Sequence, residues 1–305
     1  MANVLKMFPQ LRPTDGEVGI EIEMEGDDLP RIDNPSWTTH ADGSLRGRDS
    51  AEYVFNGPAH REDVEGRLWN LYTVLQQDAE EMDPSDRCGV HVHINVQDLS
   101  YEHLLNFVTL YIILEEPLME FCGEQRVGNP FCLRIKDAEF LLNVLISIKK
   151  NGTFNIPHLN DKIRYASLNL TSLPLYGSLE FRGHRSVDNP APIEKWVDIL
   201  LRLKDAACEF ENQVAILEQF SMDGPRFVAD VILKDFKKDI DVAGLQDMLW
   251  DGARLAQEFV YTTKGGRLPE EPRQGGRVID KDEAIANIII RARRRIAERD
   301  NNEGF

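Results

Sequence analysis

Cysteine is scarce in this 305-residue chain: Cys88, Cys122, Cys132 and Cys208, with no CxxC pair and no zinc-ribbon spacing. That argues against a structural zinc knuckle or a dithiol redox centre; four scattered thiols suit a reducing compartment, mostly as small core residues. Long hydrophobic runs are missing too. The most apolar stretch, LLNFVTLYIILEEPLMEF (104–121), is interrupted by Glu115, Glu116 and Pro117, so no membrane span and no membrane partner are expected. The opening MANVLKMFPQLRP shows no long apolar core before a small-residue cleavage site, and a cytoplasmic location is the expectation. Positive charge is in short supply, with 35 Lys and Arg against 52 Asp and Glu and a formal net charge of −17. A surface this acidic repels phosphate backbones, which speaks against nucleic acid as a partner. The local exception, RARRR at 291–295, falls late in an apparent helix over about 281–299, where cations complement the helix dipole. No GxxxxGK[ST], no GxGxxG after a strand, no GxSxG and no HExxH occurs, so the common phosphate-loop, dinucleotide, serine-hydrolase and zincin motifs do not apply.

What is present is an ordinary globular composition, 42% hydrophobic and 29% charged, with enough chain for a large core. VGIEIEMEG (18–26), AEYVF (51–55), CGVHVHINV (88–96), RYASLNL (164–170) and GSLEFRGH (177–184) read as strands, the first, third and last with apolar and polar residues alternating. Helical spacing runs through 61–81, 100–121 and 137–151, and again from 192 to about 262. DDLPRIDNPSW (27–37) and GGRLPEEPRQGG (265–276) are rich in turn formers and read as loops. Strands separated by helices, with hairpin-like turns and no βαβ rhythm, predict an α+β fold on a largely antiparallel sheet. The expected organisation is a catalytic region over 1–200 and a helical region over 201–305, packed on the same core or forming an oligomer contact.

Three strands share one division of labour. In the first, Val18, Ile20, Ile22 and Met24 oppose Glu21, Glu23 and Glu25. In the third, Val90, Val92, Ile94 and Val96 oppose His91, His93 and Asn95, and in the last Leu179 and Phe181 oppose Glu180, Arg182 and His184. Side chains two apart on a strand point the same way at about 7 Å, close enough for like charges to repel. Neighbouring strands would pool these groups on one sheet face. Carboxylates with an occasional imidazole suit Mg²⁺ and admit Mn²⁺, and an Arg beside them suits phosphoryl transfer. Each motif alone has a bland counterpart: a solvated E-x-E face, a hydrogen-bonded H-x-H pair, an ion-paired E-x-R. Their joint occurrence, always opposite an apolar face, favours the metal–phosphate reading.

The ordered set GIEIE, W-x4-DGSL with AEYVF-x-GP, CGVHVHIN, RYASLNL and GSLEFRGHRS resembles the amidoligases, over about residues 16–200. These are ATP-dependent carboxylate–amine ligases related to glutamine synthetase and γ-glutamylcysteine synthetase, frequent in phage and bacterial genomes. The resemblance implies a curved half-barrel sheet with its site on the concave face, ATP as cosubstrate and two or more Mg²⁺ ions. It implies Glu21, Glu23, Glu52, His91 and Glu180 as metal ligands, His93 near the nucleotide phosphates, and Arg182 on the transferred phosphate. Arg164 looks like a phosphate or substrate contact. Trp37, Asp42 and Ser44 would line the substrate or order its loop. Arg126 and Asn129 would do the same, or would only cap the long helix or pin the loop after it. Phe55 and Asn56 stand where many relatives have Ser followed by another residue, a departure that touches substrate detail near that strand.

The function expected is therefore amide or isopeptide bond formation through an acyl phosphate. The substrates would be a small-molecule or peptide carboxylate and an amine, and an acidic loop residue is expected to take the amine's proton. The alternatives are a guanidino-kinase-like phosphotransferase on the same scaffold and a non-catalytic nucleotide- or metal-binding protein. Loops 27–50 and 265–276 are candidate lids, and a homo-oligomer is compatible with the relatives.

Overall fold

A computed structural model describes residues 3–47, 49–152 and 164–262. The expected loop at 265–276 and the last helix with its RARRR run lie outside these residues.

The strand patterns pair into one antiparallel sheet. Strands β1 (Val18–Met24), β3 (Trp37–His40), β4 (Ala51–Phe55), β6 (Gly89–Asn95), β7 (Leu168–Asn169) and β8 (Ser178–Arg185) lie in the order β3-β4-β1-β6-β8-β7. A second, two-stranded ribbon joins β2 (Gly26–Asp27) to β5 (Glu81–Met82). Alternation decides the faces: Val18, Ile20, Ile22 and Met24 are buried on β1, as are Val90, Val92 and Ile94 on β6 and Leu179 and Phe181 on β8. That apolar side is covered by helices, and the opposite side keeps the polar residues.

The long helix α3 (Tyr101–Cys122) packs on β8, and α6 (Ala191–Ala207) packs on β6 and on α3. Around them lie α2 (Arg61–Asp78), α4 (Glu139–Asn151), α7 (Gln213–Asp223) and α9 (Gln246–Val260), with α2 against α6 and with α4 and α7 against α9. Short helices α1 (Val4–Met7), α5 (Leu173–Tyr176) and α8 (Pro225–Phe227) complete the set among the described residues. Ser100 caps α3, its Oγ accepting from the His103 amide at 3.1 Å. Residues on every side of α3 are buried, because it is sandwiched between the sheet and α9. Pro117 lies inside α3. It has no amide hydrogen for the Ile113 carbonyl, and α9 packs tightly there: a Cβ on Gly252 would sit 2.4 Å from that oxygen. One hydrophobic core runs from Val4 to Val260. The expected boundary at residue 200 falls inside α6.

Three local differences from the sequence reading have physical causes. β3 begins at Trp37, the last residue of the stretch read as a loop: Asn34 Oδ1 accepts from the Ser36 and Trp37 amides at 2.8 and 2.9 Å, making the turn that starts it. RYASLNL forms only the two-residue β7, because Asn169 Oδ1 accepts from the Thr171 amide at 2.9 Å and turns the chain away. His184 does not share the face of Glu180 and Arg182. Val90 pairs with His184 and Val92 with Phe181, so His91 alone stands opposite Arg182 and Gly183. That bulge flips the alternation. His184 is buried on the helix side between Phe121 and Trp196, ring centroids 6.1 and 6.3 Å away. Burial pushes its pKa down to about 4, so it is a neutral core histidine.

Candidate active site

The register of the sheet brings the polar residues of four strands together. Glu23 pairs with Glu52 across β1 and β4, Glu21 with His91 across β1 and β6, and His93 with Glu180 across β6 and β8. Cross-strand partners point to the same face, so the groups converge. His91 Nδ1 lies 3.0 Å from Glu21 Oε2, and its Nε2 is 3.7 Å from Glu23 Oε1. His93 Nε2 is 3.4 Å from Glu21 Oε1 and 3.9 Å from Glu180 Oε2. Arg182 Nη1 donates to Glu180 Oε1 at 2.5 Å and lies 3.3 Å from His91 Nδ1.

Burial and charge set the protonation. Burial opposes ionisation of Glu21, yet the imidazoles of His91 and His93 beside it hold its carboxyl far below the usual range. Burial would strip the proton from His93, but Glu21 and Glu180 raise its pKa. Glu52 is pushed up to about 7, first by burial and then by Glu21, Asp42 and Glu23. Burial would also lower Arg182, and Glu180 reverses this, so the guanidinium stays charged.

Three overlapping sets can offer ligand atoms to a metal ion: Glu21, Glu52 and His91; Glu21, His93 and Glu180; Glu23, Asp42 and Glu52. Within each set those atoms lie within 4.8 Å of one another. The donors fit a hard divalent cation: two sets offer oxygens with one imidazole nitrogen, and the third offers oxygens alone. His93 Nε2 is buried without a hydrogen-bond partner, and its other nitrogen is 3.1 Å from Ser178 Oγ. When the Nε2 proton leaves and the Nδ1 proton is donated to Ser178, the Nε2 lone pair is free to ligate, with Glu21 and Glu180 beside it, the arrangement usual for a ligating imidazole. The geometry therefore groups His93 with the ligand-type residues, as well as His91.

Several neighbours hold this face in place. The Gly89 amide donates to Glu23 Oε2 at 2.7 Å, and Asn169 Nδ2 donates to Glu180 Oε2 at 2.6 Å. Asn169 and Ser178 were not singled out by the sequence reading. The register that pairs Asn169 with Glu180 identifies Asn169 only once the sheet order is known. Glu25 is buried, and its Oε1 accepts the Arg46 amide at 2.5 Å, tying the loop after β3 to the end of β1. Glu17, just before β1, pairs with Arg61 at 2.8 Å, and Arg61 reaches Asp205 at 3.2 Å.

The remaining candidates take supporting places. Trp37 is fully buried, its indole donating to the Arg67 carbonyl at 2.9 Å and its ring edge-on to Phe55. It orders its surroundings and does not line a ligand space. Asp42 Oδ1 accepts the Ser44 amide at 2.6 Å, and Arg87 Nη1 donates to the Ser44 carbonyl at 2.7 Å, fixing the loop that brings Asp42 to Glu23 and Glu52. Arg126 is buried and donates to the carbonyls of Gly183 and Arg182 at 3.3 and 2.9 Å. Asn129 Nδ2 donates to the Asp86 carbonyl at 2.7 Å. Both pin backbone around the site. Arg164 is exposed, its guanidinium over the Tyr165 ring at 5.1 Å.

Residues 58–204 match the model of the family described as "Putative amidoligase enzyme". This span is similar to that family. It contains His91, His93, Glu180 and Arg182, while Glu21, Glu23 and Glu52 precede it and join the site through the sheet. No curated protein matches the chain. The family's description implies an amide-forming ligase that uses ATP. No helix among the described residues is long and apolar enough to cross a membrane.

Proposed function

We propose that the protein is an ATP- and Mg²⁺-dependent carboxylate–amine ligase that forms an amide or isopeptide bond. The observation that supports this most is the convergence of five carboxylates and two imidazoles, with Arg182 beside them, in three overlapping ligand sets on one sheet face. Glu21, Glu23, Glu52, His91, His93 and Glu180 would hold two or more divalent cations, Mg²⁺ or Mn²⁺. Such ions screen phosphate charge and orient the γ-phosphoryl group when bound.

The chemistry needs activation because a carboxylate is a poor electrophile. Transfer of the γ-phosphoryl group to a carboxylate oxygen releases ADP and gives an acyl phosphate. An amine nitrogen then attacks the carbonyl carbon, the C–O bond to phosphate breaks, and the amine gives up a proton. Arg182 suits the first step: its Nη1 is anchored by Glu180, while its buried Nε has no hydrogen-bond partner. A fixed cation placed where charge develops needs little reorganisation during transfer. Arg164, exposed beyond the cluster, is assigned to substrate or phosphate contact. The substrates fall in the class of small-molecule or peptide carboxylates and amines.

The test is ADP release by the purified chain with Mg²⁺, requiring both a carboxylate and an amine, with the amide identified by mass spectrometry. A stable phosphorylated product without amide would favour the phosphotransferase instead. Absence of both nucleotide binding and turnover across a broad panel would sink the enzymatic reading. Glu180→Gln should abolish turnover while leaving the fold intact.

A further inference from the structure

The bulge in β8 meets two demands at once: it keeps Arg182 on the face of the carboxylate–histidine cluster and sends His184 into the core. An inserted residue breaks the ladder locally, and the carbonyls it displaces need donors once they are buried. One side chain supplies them. Arg126 donates from Nη2 to the Arg182 carbonyl at 2.9 Å and from Nε to the Gly183 carbonyl at 3.3 Å. Its Nη1 donates to the Asp86 carbonyl at 3.4 Å, in the loop before β6. A single guanidinium thus grips both bulge residues and the approach to the neighbouring strand. Asn129 Nδ2 donates to the same Asp86 carbonyl at 2.7 Å and steadies that end.

The chain around Arg126 is shaped for this reach. Gly123 ends α3 with φ at 113°, and a Cβ there would sit 2.8 Å from Arg185 Cδ, so bare backbone lets the chain cross the end of β8. The short 3₁₀ turn Glu124–Arg126 follows, and Arg126 is only 1% exposed. Burying a guanidinium costs more than burying an aliphatic chain of similar length, which points to a task that needs its fork of donors. Gly89 marks where the fork sits. A Cβ at Gly89 would lie 3.0 Å from Arg126 Nη2 and 3.3 Å from both Glu23 Oε2 and His91 Nε2, so the guanidinium borders the cluster itself. A lysine would carry the same charge there, but a point charge does not hold several carbonyls in one fixed plane.

Arg182 is thereby fixed at three points: its amide donates to the Ser167 carbonyl at 2.8 Å, its carbonyl accepts from Arg126, and its Nη1 donates to Glu180. We propose, building on the ATP-dependent reading, that Arg126 is a positioning residue for phosphoryl transfer, clamping the β8 bulge so that Arg182 meets the developing charge. Arg126 touches neither nucleotide nor substrate in this role and acts through Arg182 alone. A displacement of about 1 Å in such a group costs on the order of a hundredfold in rate.

The experiment joins steady-state ADP release, calorimetry of Mg²⁺ binding and amide hydrogen exchange, all on the full chain. Arg126→Lys keeps the charge and loses the fork. It should lower kcat by about thirtyfold or more while the Mg²⁺ dissociation constant stays within about threefold of the parent. In an Arg182→Ala background, where no guanidinium remains to be aimed, the same substitution should cost less than about threefold. A merely structural role would not give that loss of additivity, because a loosened fold lowers turnover in either background. Exchange needs no activity, and it should quicken at the Gly183 and His184 amides in Arg126→Lys as the bulge loses its clamp. Turnover of Arg126→Lys within about threefold of the parent overturns this proposal alone. Equal losses with and without Arg182, or unchanged exchange at the bulge, do the same. A parent chain that binds Mg²⁺ but releases no ADP with any carboxylate and amine overturns the ATP-dependent reading, and this proposal with it.

Discussion

At the scale of single residues, the carboxylate row on β1 was legible because alternation alone separates Glu21 and Glu23 from their apolar neighbours. Its proton chemistry was not, since that depends on which strands lie beside it. Glu52 shows this. Burial, then Glu21, Asp42 and Glu23, push it up to about 7, so the metal-free protein retains its proton below that pH. A cation can bind Glu52 only when the proton leaves. Mg²⁺ affinity should therefore fall as pH drops below 7, by up to about tenfold per pH unit, with proton release on binding. Calorimetry in buffers of different ionisation enthalpy measures that release, and Glu52→Gln should remove most of it. A second buried carboxyl escaped the sequence reading, which saw Glu115 only as a break in an apolar run. Glu115 hydrogen-bonds to Ser167 Oγ and accepts the Ile135 amide at 2.8 Å, and burial raises its pKa to about 8. Between pH 4.5 and 8 the folded state keeps a proton that the unfolded chain has lost, so this group makes stability fall as pH rises. Glu115→Gln preserves both bonds with an amide and should flatten that decline, gaining on the order of 1–3 kcal/mol at pH 8 and little at pH 5. Denaturant titrations at the two pH values check it.

At the scale of elements, strand identity followed from pattern, but β-strand length and facing required partners. The bulge opposite His91 could not be seen in SLEFRGH, because an inserted residue is defined by the neighbouring strand, and it sends His184 to the helix side. The contact of α3 with α9 was equally hidden, since it depends on Pro117 of one helix meeting Gly252 of the other. Pro117 leaves the Ile113 carbonyl without its usual helical donor, and Gly252 lets α9 approach it. A methyl at Gly252 would meet that oxygen at 2.4 Å and the Ile112 oxygen at 2.8 Å. Both are backbone atoms that cannot rotate away. Gly252→Ala should therefore cost about 1–3 kcal/mol from forced displacement, outweighing the gain of about 1 kcal/mol in helix propensity. Gly66, on α2, has nothing within 4 Å of the same added atom. Gly66→Ala should instead stabilise by about 1 kcal/mol. Opposite signs in one chemical denaturation series would establish that α9 docking, and not glycine content, sets the effect.

At the scale of the whole molecule, a formal charge of −17 and a tightly grouped set of carboxylates work against the compact state. The two repulsions respond differently to ions. The diffuse surface charge is screened by any salt, with a Debye length of about 8 Å at physiological ionic strength. The cluster on β1, β4, β6 and β8 is mostly buried, so general screening reaches it poorly, and a bound divalent cation would relieve it directly. Mg²⁺ should then raise the melting temperature more than NaCl at matched ionic strength. A concentration of about 100 times the dissociation constant stabilises by about 2.7 kcal/mol, which for a domain of this size corresponds to a rise of a few degrees. Glu21→Gln, Glu23→Gln and Glu180→Gln should each lower this Mg²⁺-specific increment while leaving the NaCl response unchanged, and in metal-free buffer Glu21→Gln and Glu180→Gln should be less stable than the parent, because they remove the carboxylates that hold His91, His93 and the buried Arg182. Equal responses to the two salts, or Mg²⁺ stabilisation that survives all three substitutions, would place the cation effect on the general surface and remove the β1 carboxylates from the metal centre.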